Sequence, residues 1–135
     1  MTRKIKMRKA DAESYKVFFA KSNKFFISAK ASLRENNHDA AALACIHSVI
    51  SGIDSYLTFK TGERSASDNH LDAIFLARQI AFTEDAKTAL KHAERVLIEK
   101  TSVEYLDVMV SEKKALEMFK HTERFIEWIK SGVPK

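Results

Sequence analysis

The sequence contains only three glycines, one proline and one cysteine in 135 residues. Tight β-turns depend on glycine, so a fold rich in β-structure would need more of it, and the scarcity favours helices. The single cysteine, Cys45, excludes an internal disulfide and a cysteine-based metal cluster, and it predicts a reducing, cytoplasmic setting. The longest apolar run, AAALACI, is far shorter than a membrane span of roughly 20 residues, so we expect a soluble protein with no membrane partner.

Several familiar site motifs are also missing. The chain has no glycine-rich phosphate loop, no HExxH metal pair and no Gly-x-Ser-x-Gly nucleophile turn. We therefore expect neither a cofactor nor a metal ion. Any function must come from polar residues scattered along helices.

Positive charge is concentrated at the N-terminus. The net charge is +5, and the stretch MTRKIKMRK contains five basic residues and no acid, whereas the rest of the chain is neutral. The length predicts one domain, which we divide into a basic tail over residues 1–10 and a helical domain over residues 11–131. The tail either contacts RNA phosphates or is a solvated, frayed terminus, and the second interpretation is the simpler one.

Apolar residues at three- and four-residue steps predict the first two helices. One helix follows Asp11, a plausible N-cap, and its apolar side chains run from Tyr15 to Leu33. A second helix begins after Asn37 or Asp39 and extends to about Lys60. Gly62 follows it, where a left-handed residue commonly ends a helix.

The second helix is apolar on nearly every side between Ala40 and Leu57, which predicts a position at the centre of a bundle. One stripe of small and polar residues interrupts this pattern. Such a stripe on a buried helix indicates a close helix contact or a lined cleft. Its members are Ala40, Ala44, His47, Ser51, Asp54 and Thr58.

Three further helices complete the predicted fold. The third begins near Asp68, the fourth is capped by Thr83, and the last begins at Ser111 and ends at Gly132. Residues 101–110 are expected to form a helical turn and a loop. The sequence therefore predicts an all-α, up-and-down bundle of about five helices.

Two pairs of polar residues are candidates for chemistry. Arg64 and His70 lie in one polar segment after Gly62. Arginine can hold a phosphate with two hydrogen bonds and histidine can move a proton near neutral pH, which are the abilities that metal-independent RNA cleavage needs. The alternative is an ordinary surface loop, which would hold Arg64 outside any helix.

Asp54 and His47 form the second pair, seven residues apart on the stripe of the central helix. A carboxylate on a buried helix is costly unless it has a partner, and Arg64, just beyond the helix, is one possible partner. The alternative is a buried pair that only fixes helix packing.

The remaining histidines and large aromatic residues are expected to be structural. His38, His92 and His121 should be solvated, because they lie at a helix start or on charged faces. Tyr105 and Trp128 should pack rather than stack on a base.

The stretch FFISAKASLRENNHDAAALACIHSVISGIDSYLTFKTGERSASDNHLDAIFLAR resembles the HEPN family of small helical domains. The shared features are an A-x-L end of the first helix and a following Ala-rich helix with a mid-helix acid, Asp54. A loop containing Gly62 comes next, and then a histidine, His70, that opens the next helix. The closing stretch VEYLDVMVSEKKALEMFKHTERFIEWIK is similar to the last helices of one HEPN subgroup. The resemblance covers about residues 11–131.

The resemblance implies a function as well as a fold. Nuclease members have an arginine and a histidine separated by four to six residues, which form a metal-independent RNase site across a dimer cleft. Arg64 and His70 have this spacing, Ser65 matches the polar residue that often follows the arginine, and Asp54 matches an acid that orients it. A toxin-type RNase that forms a homodimer through a cleft near helices two and three is therefore expected.

Other members of the family imply a different role. Some are non-catalytic and bind a nucleotide, or they act as partners of a minimal nucleotidyltransferase in toxin–antitoxin pairs. The fold alone does not choose between these functions.

Overall fold

The computed structural model describes residues 5–11 and 13–133, in which the chain forms six helices and two short strands. Five helices are long and pack as a bundle, which confirms the predicted all-α fold. The sixth, α5, is a short helix in the segment expected to form a helical turn. The elements are β1 (Met7–Lys9), α1 (Ser14–Arg34), α2 (His38–Thr61), β2 (Glu63–Ser65), α3 (His70–Ile80), α4 (Glu84–Leu97), α5 (Lys100–Tyr105) and α6 (Glu112–Gly132).

Helix α2 is the centre of the domain, as its apolar composition predicted. It packs against α1, α3, α4, α5 and α6. By length and composition alone it could cross a membrane, but 67% of its most apolar window is buried inside the fold. Helix α2 is therefore explained as the core helix of a globular domain.

Two small residues of α2, Gly52 and Ser48, allow α1 and α6 to approach this helix closely. A Cβ atom on Gly52 would lie 2.7 Å from Cε2 of Phe125 in α6 and 3.1 Å from Oγ of Ser22 in α1. One turn earlier, the hydroxyl of Ser48 donates to the carbonyl of Ser22 at 2.8 Å, and the hydroxyl of Ser22 donates to the carbonyl of Ser48 at 2.7 Å. These reciprocal bonds satisfy both buried hydroxyls and hold α1 in register on α2.

Side chains at the helix ends explain where the central elements start and stop. The Asn37 side chain accepts from the Ala40 N–H, and Gly62 ends α2 with φ 74°, a left-handed value that glycine adopts without strain. Thr83 and Ser111 cap α4 and α6 as predicted.

Two predicted helix starts were wrong. Asp11 accepts a hydrogen bond from the Glu13 N–H, but α1 begins only at Ser14, with Glu13 at the N-cap. Asn69, not Asp68, caps α3 by accepting from the Leu71 N–H. The last helix ends at Gly132, as predicted, with Val133 at the C-cap. Neighbouring residues with similar capping chemistry cannot be ranked from sequence, because the path of the loop decides which one reaches the free N–H groups.

The basic N-terminal segment is ordered where it was expected to be frayed. Strand β1 pairs antiparallel with β2, and Arg8 lies directly opposite Arg64. The Ala10 N–H donates to Gly62 at 3.0 Å and the Ala66 N–H donates to Lys6 at 2.9 Å, so the pairing continues past both strand ends. The backbone groups of β2 needed partners, and β1 supplies them. Arg3 and Lys4, the other basic residues of this segment, lie outside the described residues.

The predicted roles of three other residues changed. His92 in α4 and His121 in α6 were expected to be solvated, but their Nδ1 atoms are 2.8 Å apart and the rings bridge the two helices. Trp128 packs on Tyr56 with ring centroids 4.7 Å apart, as expected. Tyr105 was expected to pack, yet it is 71% exposed, because it lies at the last turn of α5 where the chain leaves the bundle.

Replacing Gly52 with alanine should destabilise the domain. The new methyl group would meet the fully buried Phe125 ring, and overpacking of this kind costs about 1–3 kcal/mol, which outweighs the gain of roughly 1 kcal/mol in helix propensity. We expect the urea midpoint of Gly52→Ala to fall relative to wild type. Gly132→Ala is the matched control, because a Cβ atom there meets nothing within 4 Å. Equal midpoints for wild type and Gly52→Ala would contradict the close contact.

The bridge between His92 and His121 should make stability depend on pH. Only one ring proton fits between the two Nδ1 atoms, and burial lowers the pKa of both histidines, with Arg124 and Arg95 acting in the same direction on His92. The unfolded chain therefore takes up protons first as the pH falls below the ordinary value of 6.5, and stability is lost.

This loss can be assigned with one variant and one control. His121→Gln should lose less stability than wild type between about pH 7.5 and about pH 5.5 in urea unfolding, because fewer rings remain to be protonated. His38→Gln, which removes a histidine at the start of α2, should follow the wild-type pH dependence. A wild-type pH dependence in His121→Gln would show that the bridge has no such effect.

Candidate functional site

A cavity of about 140 Å³ lies where the end of α2, strand β2 and the start of α3 meet. Arg64, His70 and Asp54, the three residues selected from the sequence, all line it. Its other lining residues are Arg8, Ser65, Ala66, Ser67 and Ala73. Ligand pockets usually measure roughly 300–1,000 Å³, so this cavity can hold one small group such as a phosphate rather than a whole nucleotide.

Arg64 is positioned by strand β2 and by two neighbours. The sequence placed it in a loop, but it is the middle residue of the strand. Its Nη1 atom is 3.9 Å from Oδ2 of Asp54, and its guanidinium carbon is 5.3 Å from the centre of the Phe18 ring in α1. The carboxylate and the aromatic face both attract a cation, so together they hold the guanidinium at the cavity wall.

Asp54 is a mostly buried acid on the open side of α2. Burial raises the pKa of its carboxyl group to about 6, and the charge of Arg64 opposes that rise. The side chain is only 16% exposed. Asp54 is therefore costly to ionise, and Arg64 is the cation that favours its charged form.

His70 is the first residue of α3, and a set of local hydrogen bonds orders the chain on both sides of it. The Ser67 hydroxyl accepts from the Asn69 N–H and donates to Oδ2 of Asp72 at 2.6 Å, and Ser65 accepts from the Ser67 N–H. These bonds tie β2 to the first turn of α3. They explain why His70 faces the same cavity as Arg64 although five residues separate them in the sequence.

The surroundings of His70 favour its neutral form. Burial lowers the pKa of the imidazole, and the charges of Lys100 and His47 lower it further, against smaller opposite effects of Glu104 and Asp68. Lys100 forms a 2.7 Å ion pair with Glu104 in α5. A histidine held neutral in this way can accept a proton at physiological pH.

His47, the other member of the predicted Asp54 pair, does not line this cavity. It lies 3.8 Å from Glu104 and its ring is 5.3 Å from that of Phe25, so it belongs to the neighbouring surface between α1, α2 and α5. Only part of the predicted stripe on α2 is accessible to solvent. His47, Ser51 and Asp54 are partly exposed, whereas Ala44 and Thr58 are buried.

Sequence reasoning missed three residues near the site. Arg8 reaches the cavity through strand pairing, Phe18 contacts Arg64 from α1, and Lys100 acts on His70 from α5. Of these three, only Arg8 belongs to a feature that the sequence showed, the basic N-terminal segment. No three His, Cys, Asp or Glu side chains come together as a metal site within residues 5–11 and 13–133.

The fold and the cavity define a class of small all-helical domain with a polar site between the end of the central helix and the start of the next. The HEPN domain model matches residues 15–132. The chain therefore belongs to the HEPN domain family. No match was found among curated proteins.

Removing the Arg64 charge should raise the pKa of Asp54 above its value of about 6, because Arg64 is the group that lowers it. The measurement is an NMR titration of the Asp54 side-chain carboxyl carbon in wild type and Arg64→Gln. Arg78→Gln is the control, since it breaks a surface ion pair with Glu94 between α3 and α4 and should leave Asp54 unchanged. An unchanged Asp54 titration in Arg64→Gln would mean that the two charges do not interact.

Proposed function

We propose that this HEPN-domain protein is a metal-independent RNase of the toxin–antitoxin type. The observation that supports it is the meeting of Arg64, His70 and Asp54 in one cavity, with Arg64 beside Asp54. An arginine, a histidine and an acid recruited from a strand and two helices give this cavity the groups that phosphodiester cleavage requires.

Each of the three residues has a proposed role in the reaction. Arg64 binds the scissile phosphate and balances the negative charge that develops on its oxygens. His70, held neutral, takes the proton from the ribose 2′-hydroxyl. The 2′ oxygen then bonds to phosphorus, the bond to the 5′ oxygen breaks, and that oxygen takes up a proton from solvent, while His70 returns its proton to solvent. The products are a 2′,3′-cyclic phosphate and a 5′-hydroxyl.

Asp54 has a positioning role in this proposal. Its carboxylate lies 3.9 Å from Arg64 and would keep the guanidinium directed at the phosphate. The carboxylate must be ionised to do so. Because burial raises its pKa to about 6, activity should require a pH at which Asp54 has lost its proton.

The proposed enzyme is a homodimer whose cleft includes helices α2 and α3. Leu43 on α2 and Phe25 on α1 are both more than a third exposed, and both lie beside His47 on the neighbouring surface between α1, α2 and α5. A second copy would cover these apolar groups. The proposed setting is the cytoplasm, in keeping with the buried free thiol of Cys45.

A second candidate function is a non-enzymatic module that binds a nucleotide or a protein partner such as a minimal nucleotidyltransferase, with which HEPN domains often pair. The feature that favours it is a row of exposed apolar side chains at the end of α5 and in the following loop. The row consists of Tyr105, Leu106, Val108 and Met109. In this alternative the cavity residues are structural.

Cleavage of RNA in the presence of a chelator distinguishes the two functions. Wild type should cleave cellular RNA with EDTA present, and His70→Ala should be slower by about 10²- to 10⁴-fold, the usual contribution of an acid or base. Fragments should carry 2′,3′-cyclic phosphate ends. Arg64→Ala should lose activity as well, because the phosphate loses its positive partner.

His38→Ala is the matched control, because it removes a histidine at the opposite end of α2 from Asp54. It should cleave as wild type does. Absence of cleavage in both wild type and His70→Ala would contradict the RNase proposal. A sedimentation mass equal to one chain would contradict the proposed homodimer.

A further inference from the structure

Strand β1 brings a second arginine to the candidate site. Arg8 lies directly opposite Arg64 in the two-stranded ribbon, and both line the cavity. Side chains of directly paired residues leave a ribbon on the same side, so the two guanidinium groups face the same space. The HEPN match covers residues 15–132, so β1 lies outside the matched residues.

Two arginines opposite each other repel unless an anion lies between them or beside them. Among the cavity-lining residues only Asp54 is acidic, and it is next to Arg64. Arg8 is exposed and makes no ion pair with any residue in the described part of the chain. Arg8 therefore gives the cavity mouth an uncompensated positive charge, whereas Asp54 balances the charge of Arg64 at the inner wall.

The ribbon extends this charge outward. The Lys6 carbonyl accepts from the Ala66 N–H at 2.9 Å, so the pairing continues to the second residue beyond Arg8. Because side chains alternate along a strand, Lys6 lies on the same face as Arg8, and Lys9 lies on the other face. Lys6 and Arg8 thus form a basic row that leads away from the cavity.

The size of the cavity shows why such a row is needed. A space of about 140 Å³ holds one phosphate group, so the rest of an RNA strand must lie outside it. The next phosphate of the strand would meet the surface at the mouth, where Arg8 is exposed.

We propose that Arg8 is a positioning residue that binds a second phosphate of single-stranded RNA, next to the phosphate held by Arg64. This inference rests on the proposed RNase function and specifies its substrate as a strand with at least two phosphates. Arg8 does not touch the reacting atoms. It fixes the register of the strand so that one phosphodiester lies between Arg64 and His70.

The test measures binding separately from cleavage. All variants are made in the His70→Ala background, and the probes are a fluorescein-labelled single-stranded RNA octamer and a labelled dinucleoside monophosphate, which has one internal phosphate. Fluorescence anisotropy gives the affinity at several potassium chloride concentrations. Arg8→Gln should weaken octamer binding by about five- to tenfold and reduce the slope of log affinity against log salt by about 0.7, the value for one contact to a single strand.

Three comparisons identify the effect as local. Arg8→Gln should weaken binding of the dinucleoside monophosphate much less than binding of the octamer, because that ligand has no second phosphate. Arg8→Lys should keep the salt slope, because the charge remains. Lys9→Gln removes the same charge from the other face of β1 and should change octamer affinity by less than about twofold.

The possible results separate this inference from the proposed function. If Arg8→Gln and Lys9→Gln weaken octamer binding equally, the effect is a diffuse charge effect and the role of Arg8 is wrong, even if wild type cleaves RNA. If wild type does not cleave RNA but Arg8→Gln selectively loses octamer affinity, the RNase proposal fails and the two-phosphate site stands.

Discussion

The rest of the structure depends on the close packing of α1 and α6 around Gly52 on the central helix. Phe125 and Ser22 occupy the space that a side chain would fill. Asp54 follows two residues later, about 200° around the helix, so the tight contact on one side directs the acid to the opposite, open side. The same packing that completes the core therefore presents Asp54 to the cavity. A looser contact at Gly52 would let α2 rotate, and the acid would lose its position beside Arg64.

The charged forms of two side chains in the site, Asp54 and His70, are unfavourable. Asp54 resists ionisation because it is mostly buried, and His70 resists protonation for the same reason. Arg64 offsets the first cost, and its own position depends on Phe18 and on strand β2. Such an arrangement adds little to stability, because a buried ion pair loses hydration on both sides. It does hold a carboxyl group, an imidazole and a guanidinium group around one small cavity.

The N-terminal segment links the charge distribution of the sequence to the site. The net charge of +5 comes from the first nine residues, and the pairing of β1 with β2 brings part of that charge to the cavity mouth. The helical domain by itself is neutral. Without β1, the attraction of a polyanion to the cavity would depend on the positive charge of Arg64, which the negative charge of Asp54 opposes. Attachment through a ribbon also explains why Arg8 lies at the cavity. The register of the two strands sets which basic residue lies opposite Arg64, whereas a flexible tail would set none.

The sequence by itself determined the helical bundle, the central place of α2, the Gly62 break and the candidate residues Arg64, His70 and Asp54. Apolar periodicity and capping chemistry are local properties, so they can be read along the chain. Only the tertiary structure decided that these three residues share a cavity, that Arg8 and Phe18 adjoin Arg64, and that His92 meets His121. These contacts join segments distant in the chain. They are fixed by how helices pack and which strand edges pair, and neither is encoded in local residue patterns.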